Sequence, residues 1–338
     1  MSADGESATI PDPATIPEPA TIPEPATGVT SAAATGRVTG APAADGPLFD
    51  LPEELAIDTD VARKAIAAFI RGQLRQAGFE RAVLGLSGGI DSALVAYLVA
   101  ESIGAERLLC VMMPYSASSP ASQGDAEAVV TDLGCAVDLV EITGMVDGYF
   151  GRDGVAGEGG AAALEAAPLR RGNFMARMRM AVLYDRSVSW RGLVVGTGNK
   201  TESLIGYTTL FGDSACAFNP IGDLYKSQVR QLSAALGVPE AVIRKAPSAD
   251  LWPGQTDETE AGFTYPVLDR MLYWRVDRRR GVDDMVEMGF DRALVERVDR
   301  MIAGAEFKRQ VPPIAKLGPR TAGVDYLYPR RRPGSARP

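Results

Sequence analysis

The sequence predicts an α/β fold: a doubly wound, mostly parallel sheet flanked by helices, with a helical C-terminal part. Apolar runs of strand length alternate with runs of helical periodicity. The apolar run at residues 82–86 ends in Ser87-Gly88-Gly89 and opens a helix, and residues 193–195 end in a second tight turn, Gly196-Thr197-Gly198. Such alternation is typical of parallel sheets, which carry their sites at the carboxyl ends of the strands.

The ordered part of the chain is predicted to begin near Leu51 with a helix that Asp58, Thr59 or Asp60 could cap. Its apolar stripe contains Val61, Ala65, Ile66, Phe69, Ile70 and Leu74. The elements that follow are predicted as strand 82–86, helix 93–101, strand 107–113, helix 122–133, strand 136–142, helix 173–190, strand 193–195 and helix 224–236. The Gly/Ala-rich stretch 151–172 predicts a mobile loop.

The two ends of the chain differ in composition from the rest. Residues 1–50 are rich in Pro, Ala and Thr and contain the sequence Ala-Thr-Ile-Pro-Asp/Glu-Pro three times, beginning at Ala8, Ala14 and Ala20. Alternate prolines prevent a backbone ladder, so this tail is predicted to be disordered. Residues 51–329 form the predicted folded domain, and residues 330–338 a basic, solvated tail that begins with three arginines.

Composition excludes several classes of function. The chain has 338 residues, of which 46% are hydrophobic, and it contains no apolar run of bilayer-spanning length and no signal-peptide pattern, so we expect a cytoplasmic protein that does not enter a membrane. A formal charge of −8 disfavours nucleic-acid binding. Three dispersed cysteines argue against disulfides or a zinc cluster, and the absence of histidine leaves metal ions, Lys, Arg and carboxylates to perform any catalysis.

The turn after the first strand has the chemistry of an anion site. Consecutive glycines let backbone N–H groups converge, the following helix directs its positive end at the same point, and Ser87 and Ser92 can add hydroxyl donors. Asp91 would repel a phosphate unless a divalent cation such as Mg²⁺ lay between them. A Gly-Gly turn before a helix N-cap is the structural alternative for such a stretch.

The full string Ser87-Gly88-Gly89-Ile90-Asp91-Ser92 resembles the phosphate loop of the ATP pyrophosphatase superfamily, whose members cleave ATP between its α and β phosphates. The resemblance implies a fold like that of the adenine nucleotide alpha hydrolases. The loop lacks the Gly-Lys-Ser/Thr ending of a Walker A motif, so a kinase or ATPase acting on the γ-phosphate is disfavoured.

Five further motifs, in order along the chain, resemble those of NAD synthetases. They begin at Asn173, Val195, Gly206, Asn219 and Lys245, and the last runs to Glu258. The family implies a two-step reaction: ATP adenylates the nicotinate carboxylate of deamido-NAD with release of pyrophosphate, and ammonia then attacks the acyl adenylate to give NAD and AMP. Two negatively charged reactants require cations and oriented donors where charge develops.

The resemblance implies roles for individual residues at the ATP end of the site. Asp91 and Glu202 would bind Mg²⁺, and Lys226 would neutralise charge on the transferred phosphate. The ATP-binding residues implied by the family are Gly85, Leu86, Ser87, Gly88, Gly89, Ile90, Asp91, Ser92, Thr197, Lys226 and Ser248. The structural alternatives are a Glu202 that complements a helix N-terminus and a Lys226 that lies on the surface of a helix capped by Asp223.

A second set of residues is implied for deamido-NAD: Arg177, Asp213, Phe307 and Lys308. Asp213 is also a candidate for the approach of ammonia, and with Asp91 and Lys226 it completes the predicted catalytic set. Some relatives have histidine at position 307 and lysine at position 210, where this chain has Phe307 and Leu210. Phe307 could stack against a ring where the histidine would form a hydrogen bond.

The family further implies a homodimer that uses the helix at 173–190. Larger members carry a glutaminase domain before the synthetase; the proline-rich residues before Leu51 are predicted to be too few to form one, so the expected nitrogen source is free ammonia or a separate ammonia donor. Another adenylating enzyme of the superfamily, or an inactive nucleotide-binding regulator, remains the alternative function.

Overall fold

The computed structural model describes residue 49 and residues 51–151, 167–246 and 263–325. Within these residues, four strands form one sheet in the order β3-β2-β1-β4, and every neighbouring pair is parallel. The strands are β1 Arg81–Gly85, β2 Leu108–Met112, β3 Ala136–Leu139 and β4 Gly192–Val194. The chain builds outward from β1 to β3 and returns to the other side of β1 with β4, which confirms the predicted doubly wound sheet.

Eleven α-helices are present in the described residues. In chain order they are α1 Thr59–Ala77, α2 Ile90–Ile103, α3 Pro120–Leu133, α4 Thr143–Phe150, α5 Ala167–Trp190, α6 Lys200–Ile205, α7 Lys226–Leu236, α8 Glu240–Arg244, α9 Tyr265–Leu272, α10 Val282–Glu287 and α11 Arg292–Gly304. One π turn, Tyr273–Asp277, continues α9. None of the described helices has the length and apolarity needed to cross a membrane.

Alternation along the strands gives the sheet two apolar faces. Ala82 and Leu84 of β1 belong to a core that also contains buried residues of α1, α2, α3 and α7. Val83, between them, belongs to a second core with residues of α4 and α5. Because a strand directs successive side chains to opposite faces, helices cover both sides of the sheet. Cys110 of β2 is fully buried in the first core, as its apolar surroundings predict.

The C-terminal helices form a third apolar cluster, which confirms the predicted helical C-terminal part. Leu268 and Leu272 of α9 pack there with Val295 and Val298 of α11. The same cluster includes Ile205 at the end of α6 and residues next to α7. The C-terminal part therefore packs against the two helices that follow the carboxyl end of β4.

Several predicted element boundaries and one apolar stripe require correction. Strand β3 ends at Leu139, three residues before its predicted end, and α2 begins at Ile90, three residues before its predicted start. Helix α5 begins at Ala167, six residues before the predicted start, so residues 167–172 are helical although Gly172 suggested a loop; the rest of that predicted loop, 152–166, lies outside the described residues. Val61 and Phe69 of the predicted α1 stripe are exposed, whereas Ile70 and Leu74 are buried. Helix α7 begins at Lys226, two residues later than predicted. Asp58 caps α1 as expected, through its side chain and the N–H of Val61.

Candidate active site

The phosphate loop at the end of β1 requires glycine at position 88. Gly88 has φ of +77°, and a Cβ atom there would lie 2.0 Å from the carbonyl oxygen of Ser122 in α3. Four serine hydrogen bonds hold the loop. Ser92 Oγ accepts from the N–H of Ser87 at 3.2 Å and donates to the carbonyl of Gly89 at 2.9 Å. Ser87 Oγ accepts from the N–H of Gly89 at 3.2 Å, and the two hydroxyls are hydrogen-bonded to each other at 3.2 Å. The predicted tight turn is therefore present and fixed against α3.

Lys226 lies at the centre of the charged residues beside this loop. Its Nζ donates to Asp91 Oδ2 at 2.5 Å and to Glu202 Oε1 at 3.2 Å, and it stands 5.2 Å from the ring centroid of Tyr265. Asp91 comes from the first turn of α2, Glu202 from α6 and Lys226 from the first turn of α7. Two strand-end loops and a third helix thus bring the predicted charged residues together.

Burial excludes one of the two interpretations of Lys226. Its side chain is only 3% exposed, whereas Asp223, the expected cap, is 97% exposed and pairs with Lys200 at 3.1 Å. A surface lysine on a helix capped by Asp223 is therefore wrong. A lysine that is almost fully buried is stabilised by the two carboxylates that accept its hydrogen bonds.

Glu202 lies at the N-terminus of α6, as its structural alternative predicts. It is the third residue of α6 and completes a capping box, in which its Oε2 accepts from the N–H of Asn199 at 3.4 Å and Asn199 Oδ1 accepts from the N–H of Glu202 at 2.9 Å. Its other oxygen accepts from Lys226. Burial raises the pKa of Glu202 to about 7; the ammonium of Lys226 opposes this rise and the charge of Asp91 adds to it.

Four buried polar residues of the site have no role in the sequence prediction: Asn199, Thr201, Ser227 and Asp269. Asn199 Nδ2 donates to Asp91 Oδ1 at 2.9 Å, so it joins the two carboxylates. The Asn-x-x-Glu spacing of a capping box is a signal that could have found it. No local pattern marks Asp269, which lies 68 residues from its partner Thr201 in sequence.

The sequence of the chain matches those of known proteins over most of its length. The sequence profile described as NAD synthase matches residues 62–312. The NH(3)-dependent NAD(+) synthetase of Trichlorobacter lovleyi is 48% identical over 276 residues, which are 82% of this chain and 97% of that protein. The chain belongs to the NAD synthase family. The superfamily alternatives are not favoured by these matches.

Solved structures of NAD synthase relatives have the same fold. The NH3-dependent NAD synthetase of Campylobacter jejuni is 32% identical, with a TM-score of 0.63, and the match covers 77% of this chain and 100% of that one. An NMN synthetase from Francisella tularensis is 29% identical, with a TM-score of 0.65, and the match covers 77% of this chain and 99% of that one.

Of the remaining ATP residues expected for the NAD synthase family, Thr197 lies near the same sheet edge. Thr197 is partly exposed in the turn after β4, next to Gly196, where a Cβ atom would lie 2.6 Å from the sulfur of Cys216. β4 pairs with β1, so this turn and the phosphate loop follow adjacent strands. Ser248 lies outside the described residues.

Three of the four residues predicted to contact the dinucleotide lie on or against one loop, residues 206–214: Arg177, Asp213 and Lys308. Lys308 Nζ donates to the carbonyls of Gly206 and Thr208, each at 2.8 Å, and Arg177 donates to the carbonyl of Leu210 at 3.2 Å. Asp213 accepts from Thr208 Oγ1 and the N–H of Thr209. Burial lowers the pKa of Lys308, and the charge of Asp213 opposes that effect.

Other side chains clarify which parts of that set face solvent. Phe307 is 51% exposed, as an open stacking surface would be. Arg179, two residues from Arg177 on α5, instead donates to the carbonyl of Met113 at 3.1 Å, beyond the end of β2. The two arginines therefore serve different faces of the helix, as their spacing predicts.

Proposed function

We propose that the chain catalyses ATP-dependent formation of NAD from deamido-NAD and ammonia, through an acyl adenylate, with release of pyrophosphate and AMP. The observation that carries this proposal is the buried Lys226, held between Asp91 and Glu202 beside a glycine turn at the carboxyl ends of β1 and β4. The named activity of the curated relative, at 48% identity over most of both chains, supports it.

In the first step, a carboxylate oxygen of the dinucleotide bonds to the α-phosphorus of ATP while the bond to the bridging oxygen of the β-phosphate breaks. The leaving pyrophosphate gains negative charge. Residues 85–92 supply a fixed turn at a helix N-terminus for these phosphates, and Lys226 supplies a positive charge that the surrounding carboxylates stabilise. Thr197 and Ser248 complete our ATP set.

The donor chemistry of Asp91 and Glu202 fits Mg²⁺. Within the described residues there is no group of three or more His, Cys, Asp or Glu side chains that could hold a metal. Two carboxylates plus phosphate oxygens and water are nevertheless a typical set for this hard cation. Burial and the neighbouring charge of Asp91 raise the pKa of Glu202 to about 7, so an added cation beside these two carboxylates would be stabilising. Mg²⁺ bound there would offset the repulsion between the reacting carboxylate and the phosphates.

The loop 206–214 is our candidate binding surface for deamido-NAD, with Arg177, Asp213, Phe307 and Lys308 around it. What supports it is that Arg177 and Lys308 donate hydrogen bonds to this segment, that Asp213 is part of it, and that Phe307 is the sequence neighbour of Lys308. In the second step, the nitrogen of ammonia bonds to the acyl carbon, the bond from that carbon to the AMP oxygen breaks so that AMP leaves, and the nitrogen loses one proton to solvent. The exposed carboxylate of Asp213 is our candidate to meet the ammonia.

The test is turnover of deamido-NAD by the purified chain with ATP, Mg²⁺ and ammonium, followed through NAD, AMP and pyrophosphate. Equal amounts of all three are expected. Formation of ADP, or no product at saturating substrates, would reject the proposal. Replacing ammonium with glutamine tests the nitrogen source, and comparable turnover on glutamine alone would reject the use of free ammonia or a separate donor.

A second candidate is amidation of the corresponding mononucleotide. It is favoured by the likeness to the Francisella tularensis NMN synthetase, whose TM-score is 0.65. Both reactions would use the same adenylation chemistry, so the distinction lies in the acid that is accepted. Comparing kcat/KM for deamido-NAD and for nicotinate mononucleotide under identical conditions distinguishes them, and we expect the dinucleotide to be preferred.

We also propose that the chain works as a homodimer in the cytoplasm. The exposed apolar residues Tyr184 and Val188, one turn apart on α5, support a contact between copies along this helix. Three free cysteines and the requirement for ATP support the cytoplasm.

A further inference from the structure

Asp269 on α9 is a buried carboxylate with no part in the proposed chemistry. The residue is fully buried and accepts three hydrogen bonds. Its Oδ1 accepts from Thr201 Oγ1 at 2.6 Å, and its Oδ2 accepts from both the N–H and the Oγ of Ser227 at 2.7 Å. A buried carboxylate is costly unless its lone pairs are used, and donors from two separate elements use them here.

The two donors are the sequence neighbours of the charged residues in the site. Thr201 precedes Glu202 in α6, and Ser227 follows Lys226 in α7. Thr201 Oγ1 also accepts from the backbone N–H of Lys226 at 3.0 Å. The first two N–H groups of α7, which have no partner inside the helix, are therefore satisfied by Thr201 and Asp269.

The same face of α9 also reaches the lysine side chain. Tyr265 lies four residues before Asp269, a spacing that puts both on one side of a helix. The Tyr265 ring lies beside Lys226 Nζ, with 5.2 Å between the nitrogen and the ring centroid. Helix α9 thus bonds through Asp269 to Ser227, the sequence neighbour of Lys226, and through Tyr265 it contacts the ammonium of Lys226.

We propose that Asp269 is a positioning residue that sets the distance between Lys226 and Glu202, acting through Thr201 and Ser227. The carboxylate joins the first turns of α6 and α7, so the separation of 3.2 Å between Lys226 Nζ and Glu202 Oε1 depends on it. Without the carboxylate, the bond from the Lys226 N–H to Thr201 Oγ1 remains between these first turns, but Asp269 no longer orients the Thr201 hydroxyl or holds Ser227, so the two helix N-termini can move relative to one another. Because a shift of about 1 Å can cost roughly a hundredfold in rate, a residue remote from the reacting atoms can matter this much.

The inference rests on the proposed function, and the measurements separate the two. Wild-type turnover tests the function alone. Given turnover, Asp269→Asn removes the charge and replaces one acceptor with a donor, so we expect kcat to fall about 10–100-fold. Thr201→Val, which keeps the shape of threonine but not its hydroxyl, should lower kcat in the same direction, and Thr201→Ser should restore most of it. Asp299→Asn is the matched control, because Asp299 pairs with Arg275 and takes part in none of the hydrogen bonds given above for Asp269 and Lys226.

A double-mutant cycle distinguishes positioning from a general structural role. If Asp269 acts through Lys226, Asp269→Asn should cost less than about threefold in kcat when Lys226 is already replaced by methionine. Equal costs in both backgrounds would overturn the inference, as would wild-type kcat in Asp269→Asn. If Asp269→Asn does not fold, Thr201→Val against Thr201→Ser decides: equal kcat in those two folded variants also overturns it.

Discussion

Lys226 illustrates how a single side chain organises the candidate site. A buried ammonium is stable only if anions surround it, and Asp91 and Glu202 provide them at 2.5 and 3.2 Å. The same two carboxylates would repel each other and the phosphates of ATP without a cation. Lysine and carboxylates therefore depend on one another, and removal of either should affect both folding and catalysis.

Lys226→Met should lower kcat/KM by about 10²–10³-fold, because methionine keeps much of the side-chain volume but supplies no charge to the leaving phosphates. The matched control is Lys200→Met. Lys200 is the first residue of the neighbouring helix α6, and its ammonium pairs with Asp277 and Asp223. Steady-state kinetics with ATP varied at saturating deamido-NAD measure both. An equal loss in the two variants would contradict a special role for Lys226.

Glu202 makes the stability of the folded chain depend on pH. Its pKa is about 7 when folded against 4.5 for the unperturbed group, so between these values the folded chain binds more protons than the unfolded one. This contribution to stability is full below about pH 4.5 and is lost as pH rises through about 7. Without metal or nucleotide, the wild type should therefore lose more stability between pH 5 and 8 than Glu202→Gln does.

Denaturant unfolding at pH 5, 6, 7 and 8 measures this difference in metal-free buffer. Glu287→Gln, a change at an exposed carboxylate of α10, is the control and should follow the wild type. A wild-type pH profile that parallels that of Glu202→Gln would show that burial does not perturb the Glu202 carboxyl group.

Functional residues that lie in a local sequence motif can be predicted from the sequence. Asp91, Glu202 and Lys226 are predictable because each lies in a motif, and the structure brings all three into hydrogen-bond contact. Asp269 is not predictable, because nothing in residues 265–272 signals a site; the role of that residue depends on how α9 packs against α6 and α7. The exposure of Asp223 depends on tertiary packing in the same way.

At the element scale, the glycine turn after β1 is the most demanding local structure. Gly88→Ala would put a methyl group against the carbonyl of Ser122, 2.0 Å away, and would strain a backbone at φ +77°. Such strain costs of order 1–3 kcal/mol, and the clash adds to it, so we expect ATP affinity to fall at least about tenfold.

Gly72→Ala is the control for Gly88→Ala, because Gly72 lies inside α1 and, apart from the adjacent residues and the surrounding backbone of that helix, no atom comes within 4 Å of the place that an alanine methyl group would take. Alanine there should raise the free energy of unfolding by about 0.5–1 kcal/mol and leave ATP binding unchanged. Calorimetric titration with ATP and denaturant unfolding give the two quantities. Wild-type ATP affinity in Gly88→Ala would contradict the steric argument.

Elements with a strong local period are predictable, and those set by packing are not. The predicted α2 and β2 agree with the structure within a few residues because their apolar residues are buried by the sheet itself. The start of α5 does not follow from the sequence, since Gly172 is unfavourable in an isolated helix and only tertiary contacts explain why it is helical. The predicted buried stripe includes Phe69, but this ring lies edge-on to Phe218, 6.0 Å between ring centroids, at the margin of the core.

At the scale of the whole molecule, the strand order decides where the site lies. Because β4 lies beside β1, the turns that follow these two strands meet at the point where the strand order reverses. Helices of the C-terminal part then pack on α6 and α7 and fix the charged residues from the other side. The alternation of strands and helices in the sequence predicts that the site lies at the ends of the strands. It contains no information on how the C-terminal helices pack on α6 and α7.

The proposed homodimer leads to the last prediction. Val188 is 78% exposed on α5 in the single chain, so a glutamate there should cost a monomer little, whereas in a contact between copies it would bury an unpaired charge. Val188→Glu should therefore shift sedimentation at micromolar concentration from dimer towards monomer. Val61→Glu, at a 61% exposed position of α1, should sediment as the wild type does. A Val188→Glu dimer as stable as the wild type would move the interface away from α5, and a monomeric wild type would reject the dimer.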